Sequence, residues 1–307
     1  MKVIVAGADG FIGRHLCRAM SEKGLTVVAV TLPGSPLQKT ILGLDGVTVV
    51  ESDYSSASGL ASLLPADADA LVDLAWAGVS PEARQDFELQ LGNVDLSLRI
   101  LRAAIANGVR KFLLPGSTLE YSLGDRTIDG LHDVPTPQNS YSSAKIASKF
   151  LCEQLARAND IAFVYMIFAG SYGVDRRDKN VIFYVIDELL HGRSPELTGL
   201  KQHWNYIHID DLVRGILSVV EHGHPWKTYP IGGLENMPLS EFVKIIHRLI
   251  DVRIPLGIGK KPYPHGKLPI SCLDNTVTTR DTGFIPQVPF AQGISEVIAN
   301  YRKELMQ

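Results

Sequence analysis

Short β-branched runs recur along the first half of the chain, separated by longer stretches whose apolar residues fall at helical spacing. Val3-Ile4-Val5-Ala6 is the first run, and 26–30, Val47–Glu51, 70–74 and 111–114 follow it. Each is too short for a helix and is bounded by turn formers or charges. Residues 14–20 read as a helix. Residues 84–107 carry Leu89, Val94, Leu98, Leu101 and Ile105 as an apolar stripe, and Asn107-Gly108 stops it. Residues 140–159 form another helical stretch, and Ala162–Phe168 another strand. Strands that are apolar throughout, alternating with helices, predict a parallel sheet covered on both faces. The fold class is α/β, a Rossmann-type doubly wound sheet. After about Gly170 the rhythm loosens, and Pro and Gly gather at 192–199 and 255–269. The expected division is a sheet unit over 1–170, completed by parts of 204–232, with 171–307 forming mainly a smaller lobe. That lobe would lie over the C-terminal ends of the strands, where ligands of open α/β sheets bind.

The end of the first run sharpens this picture. Gly7-Ala8-Asp9-Gly10-Phe11-Ile12-Gly13 joins strand to helix directly. Gly7 suits a tight turn, Gly10 keeps side chains off an approaching pyrophosphate, and Gly13 lets the helix pack close to the strand. The N–H groups of the first helical turn then face the phosphates. Glycine turns also serve packing alone, and only the strand–turn–helix setting makes this one a dinucleotide site. Asp9, Phe11 and Ile12 would line it.

Composition removes several function classes. The 307 residues are 45% hydrophobic and 21% charged, ordinary globular values that allow a large core. Lys+Arg 30 against Asp+Glu 33 leaves −3, so no polycationic face is advertised and nucleic acid is not an expected partner. Cys17, Cys152 and Cys272 have no metal spacing and cannot all pair, which suggests reduced thiols and a cytoplasmic location. The histidines show no metal-binding spacing either, and no metal is expected. No signal peptide and no bilayer-spanning run is expected.

Tyr141-Ser142-Ser143-Ala144-Lys145 is the constellation with chemistry. Residues i and i+4 share a helix face. An ammonium beside a phenol favours phenolate, and a phenol so tuned can pass a proton to or from a carbonyl or alcohol. The same spacing also arises by chance.

Together these residues resemble the extended short-chain dehydrogenase/reductase family, the NAD-dependent epimerase/dehydratase group acting on nucleotide sugars. The resemblance spans nearly the whole chain. Gly7, Gly10 and Gly13 match its cofactor turn, and Asp53, followed by Tyr54, matches an Asp that bonds the adenine amine. Leu74-Ala75-Trp76-Ala77 matches a small-residue turn running along the cofactor, and Asn93 an Asn on the next long helix. Phe168 falls beside the cofactor at the end of its strand. In Ser117-Thr118-Leu119-Glu120-Tyr121 a Ser four residues before a Tyr is catalytic, which points to Ser117. Tyr141 and Lys145 match the family's Tyr-x-x-x-Lys. Tyr172-Gly173 and the segment from Trp204 to Asp211 match later motifs of the extended branch. The resemblance implies Ser117, Thr118, Tyr172, Arg176, Asn180, Val181 and Trp204 at the substrate, Ser117, Tyr141 and Lys145 as catalytic residues, and a homodimer paired through 84–107 and 140–159.

The departures shape the functional reading. An acid is expected near Thr31 to hold the adenosine ribose, and none stands there. The cofactor is therefore NADP or NAD, with a slight lean to NADP and with Arg14 and Lys39 as candidates for its phosphate. Dehydratases of the family carry Asp-Glu after the catalytic Thr; here Thr118-Leu119 follow Ser117. Glu120 is read as solvent-facing or structural. Trp204 stands where a basic residue is usual. The charge run Asp175-Arg176-Arg177-Asp178-Lys179 is a solvated loop or a phosphate contact. The expected function is oxidoreduction on a nucleotide-activated sugar, foremost reduction of a 4-keto-deoxysugar. A 4-epimerase holding NAD tightly is the alternative within the class, and a non-catalytic dinucleotide sensor the alternative outside it.

Overall fold

The computed structural model describes residues 1–122, 126–176, 180–263 and 270–306. The elements of the first half are β1 (Lys2–Ala6), α1 (Phe11–Glu22), β2 (Thr26–Thr31), β3 (Val47–Glu51), α2 (Ala57–Leu63), β4 (Ala70–Asp73), α3 (Phe87–Ala106), β5 (Lys111–Ser117), α4 (Ser140–Arg157) and β6 (Ala162–Phe168). Then come β7 (Gly170–Tyr172), α5 (Val181–Leu190), β8 (Glu196–Leu197), β9 (His203–His208), α6 (Ile209–His222), β10 (Thr228–Ile231), β11 (Asn236–Pro238), α7 (Leu239–Ile250), β12 (Gly257–Ile258), α8 (Thr276–Thr282) and α9 (Phe290–Leu305).

The main sheet is seven-stranded in the order β10-β6-β5-β4-β1-β2-β3. Its neighbours pair in parallel throughout. Strand order reverses between β1 and β4, and that crevice is where such sheets bind ligands. β10 extends the sheet at the far edge, beside β6. A smaller three-stranded sheet, β11-β9-β7, lies in the C-terminal part.

Two apolar cores result. The larger packs around the parallel sheet and also takes Leu273, Val277 and Phe284 from the last third of the chain. The smaller joins α5, α7 and α9 through Phe183, Phe242, Val243, Ile294 and Val297. Among the described residues no helix is long and apolar enough to cross a membrane.

Two of the boundaries that differ from the sequence pattern bear on the site. The helix expected from residue 84 begins at Phe87, because Asp86 caps it by accepting from Leu89 N at 3.0 Å. Residues Ala83–Gln85 form a separate 3-10 turn instead. The strand expected over 111–114 runs on to Ser117, pairing Pro115, Gly116 and Ser117 with Met166, Ile167 and Phe168. That extension carries Ser117 to the top of the sheet.

Candidate active site

The glycine turn is shaped by close approach as well as by conformation. Gly7 has φ +71°, and a β-carbon there would stand 2.8 Å from the backbone of Leu74 and Ala75. At Gly13 it would stand 2.7 Å from Ala8 Cα, so helix and strand could not pack so tightly. Gly10 is exposed and caps α1 without a side chain. Among the described residues, the amides of Phe11, Ile12 and Gly13 have no protein acceptor, and no acid sits in the first turn. An uncapped helix N-terminus on a glycine turn fits a dinucleotide pyrophosphate. Asp9, Phe11 and Ile12 are partly exposed around it.

Other residues expected at the cofactor support that turn. Tyr54 is buried, and its hydroxyl accepts from Gly7 N at 2.8 Å and donates to Val30 O at 3.1 Å. Its phenol is therefore spent on holding the turn. Asn93 is likewise buried; it accepts from Ala77 N and donates to Ala77 O, both at 2.9 Å. It staples the segment after β4. Asp53 stays exposed and accepts from Ser55 N at 2.8 Å. Thr31 is fully buried at the end of β2, and Phe168 ends β6 opposite Ser117.

Ser117, Tyr141 and Lys145 meet where β5 and α4 run together. Asn139 caps α4 by accepting from Ser142 N at 2.9 Å, which sets the helix phase and brings Tyr141 and Lys145 to one buried face. The Ser117 hydroxyl hydrogen-bonds to the Tyr141 phenol. The phenol itself is pushed up to about 12. Burial is the main cause and the Glu120 carboxylate adds to it; the guanidinium of Arg84, the Ser117 bond and Arg176 pull the other way. The lowered phenol pKa expected from the sequence is thus not what this structure has. Lys145 faces elsewhere: its ammonium donates to Pro115 O at 3.0 Å and lies 3.6 Å from the centre of the Trp76 ring.

Two buried carboxylates flank that lysine, and neither was singled out as a site residue. Asp73 ends β4, accepts from Ala75 N at 3.1 Å and is pushed up to about 6 by burial, against the pull of Lys145. Its Oδ2 has no hydrogen-bond partner among the described residues. A charge closing the apolar run Ala70-Leu71-Val72-Asp73 was the available signal. Glu120 is fully buried, which corrects its solvent-facing reading. One oxygen accepts from Ser117 N at 2.6 Å and the other from the Tyr165 hydroxyl at 2.8 Å. Burial raises its pKa, and burial lowers that of Lys145. Arg84 lies over the Tyr141 ring, 5.5 Å from its centre, and Trp76 meets the same ring edge-on at 5.8 Å.

The residues expected at the substrate divide into groups. Asn180, Val181 and Trp204 line a cavity of about 780 Å³ with Phe183, Tyr184 and Tyr206. Ser117, Tyr141 and Lys145 do not line it. Tyr172 is instead a core residue, 1% exposed and packed on Tyr206, His208 and Phe290. Thr118 is also turned inward, accepting from Ser271 Oγ at 2.5 Å; neighbours on a chain leaving a strand face opposite ways, and Ser117 takes the site. Arg176 stacks on Phe11 at 5.0 Å and donates to Ser171. Asp175 pairs with Arg14 at 2.6 Å and with His15, fastening this loop to α1. Arg177, Asp178 and Lys179 lie outside the described residues.

A glycine turn at the switch point and a Ser, Tyr and Lys set at the ends of β5 and α4 define a dinucleotide-dependent α/β enzyme. The chain belongs to the NAD dependent epimerase/dehydratase family, whose model matches residues 3–232. It is thus an enzyme of the extended short-chain dehydrogenase/reductases. It is 25% identical over 318 residues to dTDP-glucose 4,6-dehydratase of Streptomyces antibioticus, covering 98% of this chain and 92% of that one. UDP-glucuronate 4-epimerase 4 of Arabidopsis thaliana is 20% identical over 327 residues, covering 97% and 75%. In fold it matches UDP-glucuronic acid 4-epimerase from Bacillus cereus, solved with UDP-glucuronic acid and NAD, at a TM-score of 0.85 and 20% identity over 99% of this chain and 100% of that one.

Proposed function

We propose that this enzyme exchanges a hydride between a nicotinamide cofactor and a carbon of a nucleotide-activated sugar, with reduction of a 4-keto-deoxysugar as the physiological direction. The observation that carries the reading is Tyr141, buried in the first turn of α4 with Ser117 at its hydroxyl and Lys145 one helical turn along, in a fold that also carries an uncapped helix N-terminus on a glycine turn. The amides of Phe11, Ile12 and Gly13 would hold the pyrophosphate, and Ala75, Trp76 and Ala77 would border the nicotinamide end. The nicotinamide ring, when bound, supplies or accepts the hydride. Tyr141 moves the proton at the sugar oxygen. Ser117 donates to the same oxygen and steadies developing charge there. Arg84 and Arg176 bring positive charge to a phenol that burial otherwise keeps protonated, and Lys145 lies one helical turn along with its ammonium on the Trp76 ring. The sugar's nucleotide would occupy the 780 Å³ cavity with Asn180, Val181 and Trp204.

Water elimination finds no free carboxylate at the two residues after Thr118. Leu119 is apolar, and both oxygens of Glu120 are engaged within the protein. Epimerisation at C4 uses the same three residues, and the likeness to UDP-glucuronate 4-epimerase favours it as the second reading. The lean toward NADP rested on the missing acid at Thr31, and Glu51 supplies an acid beside that position. Three buried, unpaired cysteines support a reducing, cytoplasmic setting. The exposed Phe87 and Leu91 of α3, and Phe150 and Leu151 of α4, support a homodimer through these helices.

A panel of nucleotide sugars and their 4-keto-deoxy derivatives tests the reading. A reductase consumes reduced cofactor in step with product. An epimerase interconverts sugars without net change in cofactor. With the substrate in hand, Tyr141→Phe should lower turnover by roughly a hundredfold or more while cofactor affinity holds. Wild-type turnover by that variant would remove Tyr141 from the mechanism.

A further inference from the structure

β2 ends on Thr31, which brings no charge to the ribose end of a dinucleotide. The neighbouring strand brings one. β2 and β3 run parallel with Thr31 opposite Glu51. Gln38, in the 3-10 turn Pro36–Thr40 just after β2, ties the two together. Its Nε2 donates to Thr31 Oγ1 and to Glu51 Oε1, both at 2.7 Å. Gly34 N donates to the same carboxylate oxygen at 3.2 Å. Those two bonds hold the exposed carboxyl below its ordinary range, so it is ionised at neutral pH. They use Oε1 alone; Oε2 takes no hydrogen bond from the described residues. Glu51 also shares the wall of a hollow of about 290 Å³ with Pro33, Ser52 and Asp53.

We propose that Glu51 makes this enzyme select NAD over NADP: the carboxylate reaches the end of β2 from β3, accepts from the adenosine ribose hydroxyls through Oε2, and repels a 2′-phosphate. The inference rests on the glycine turn being the dinucleotide cradle. Neither cation considered for a 2′-phosphate offsets the acid. Arg14 is bound to Asp175 at 2.6 Å and its side chain is only 10% exposed. Lys39 follows Gln38 in the 3-10 turn, and successive residues there diverge by about 120°. Gln38 faces Glu51, and Lys39 is exposed with no ion pair joining it to Glu51 among the described residues.

Calorimetric titration of the full chain with NAD and with NADP, without any sugar, tests this. The wild type should bind NAD about tenfold more tightly, the scale for a doubly charged phosphate meeting one exposed carboxylate. Glu51→Gln should bring the two affinities within about threefold by gaining on NADP, and Glu51→Lys should reverse the order. Raising salt should shrink the wild-type ratio and leave that of Glu51→Gln unchanged, since exposed charges are screened. Salt dependence of the wild type decides the matter even if a variant folds poorly. Equal wild-type affinities, or a ratio that Glu51→Gln leaves intact, would overturn the role of Glu51 while sparing the cradle. Binding of neither dinucleotide would overturn both.

Discussion

Replacing Asn93 separates two accounts of one residue. The family resemblance places it beside the cofactor; the structure gives its side chain to the turn after β4. Asn93 is 2% exposed, accepts from Ala77 N and donates to Ala77 O and to Gln90 Oε1. Gln90, one helical turn earlier on the same face of α3, donates to Gly78 O at 2.8 Å and to Ala83 O at 3.0 Å. The Trp76 indole donates to Gln90 Oε1 at 3.0 Å, so the pair fixes the ring on which Lys145 rests. Asn93→Ala removes three hydrogen bonds worth ~1 kcal/mol each, and water regains part of that at the exposed Ala77, leaving a loss of ~2 kcal/mol. With roughly 2.1 cal/mol/K of unfolding entropy per residue, such a loss lowers Tm by about 3 °C in a chain of this length. Cofactor affinity should fall on the order of fivefold, equivalent to ~1 kcal/mol, because the turn bordering the cofactor slackens. Melting followed by circular dichroism and dinucleotide titration read both quantities. Gln90→Ala should reproduce both effects, although Gln90 is not itself a residue expected at the cofactor. An Asn93→Ala protein that melts like wild type but loses the cofactor, with Gln90→Ala silent, would refute the staple and restore a direct contact.

Glu120→Gln should change how stability depends on pH. Burial raises the folded-state pKa above the ordinary 4.5, so the native protein keeps a proton that the unfolded chain releases. Stability therefore falls as pH rises from about 4.5 through the raised value, and the variant should fall less steeply in denaturant titrations across that window. Identical slopes would mean that Glu120 ionises freely in the fold. For assembly, Phe87→Glu with Phe150→Glu should yield a monomer by light scattering where the wild type is a dimer; a wild-type monomer at micromolar concentration would reject the α3–α4 interface.

The sheet, its helices and the shared helix face of Tyr141 and Lys145 were legible because they depend on local pattern. Buried parallel strands need apolar runs, an open pyrophosphate turn needs glycine, and Tyr141 and Lys145 share a face through helix periodicity alone. The misplacements came where side-chain direction depends on a partner distant in sequence. Thr118 turns inward to meet Ser271, and Tyr172 sinks among Tyr206, His208 and Phe290. Glu51 reaches Thr31 only through strand register, which a gap of irregular chain between β2 and β3 conceals. Asn93 and Tyr54, expected at the cofactor, give their polar groups to the backbone of the turns they adjoin.

The burial of Lys145 alters what mutation of the site can reveal. Its ammonium is shielded from water, held by the Pro115 carbonyl and the Trp76 face, and attracted by both Glu120 and Asp73. Removing one partner from such a buried set leaves the others uncompensated, a cost of roughly 3–5 kcal/mol in comparable buried pairs. Lys145→Ala would therefore mix lost chemistry with lost stability, and its effect on turnover could not be assigned to the phenol. The Tyr141 hydroxyl is a neutral group whose removal strands no charge. For that reason Tyr141→Phe is the cleaner probe of proton transfer, and Lys145 is better understood as part of a preorganised electrostatic cluster than as a free base beside the tyrosine.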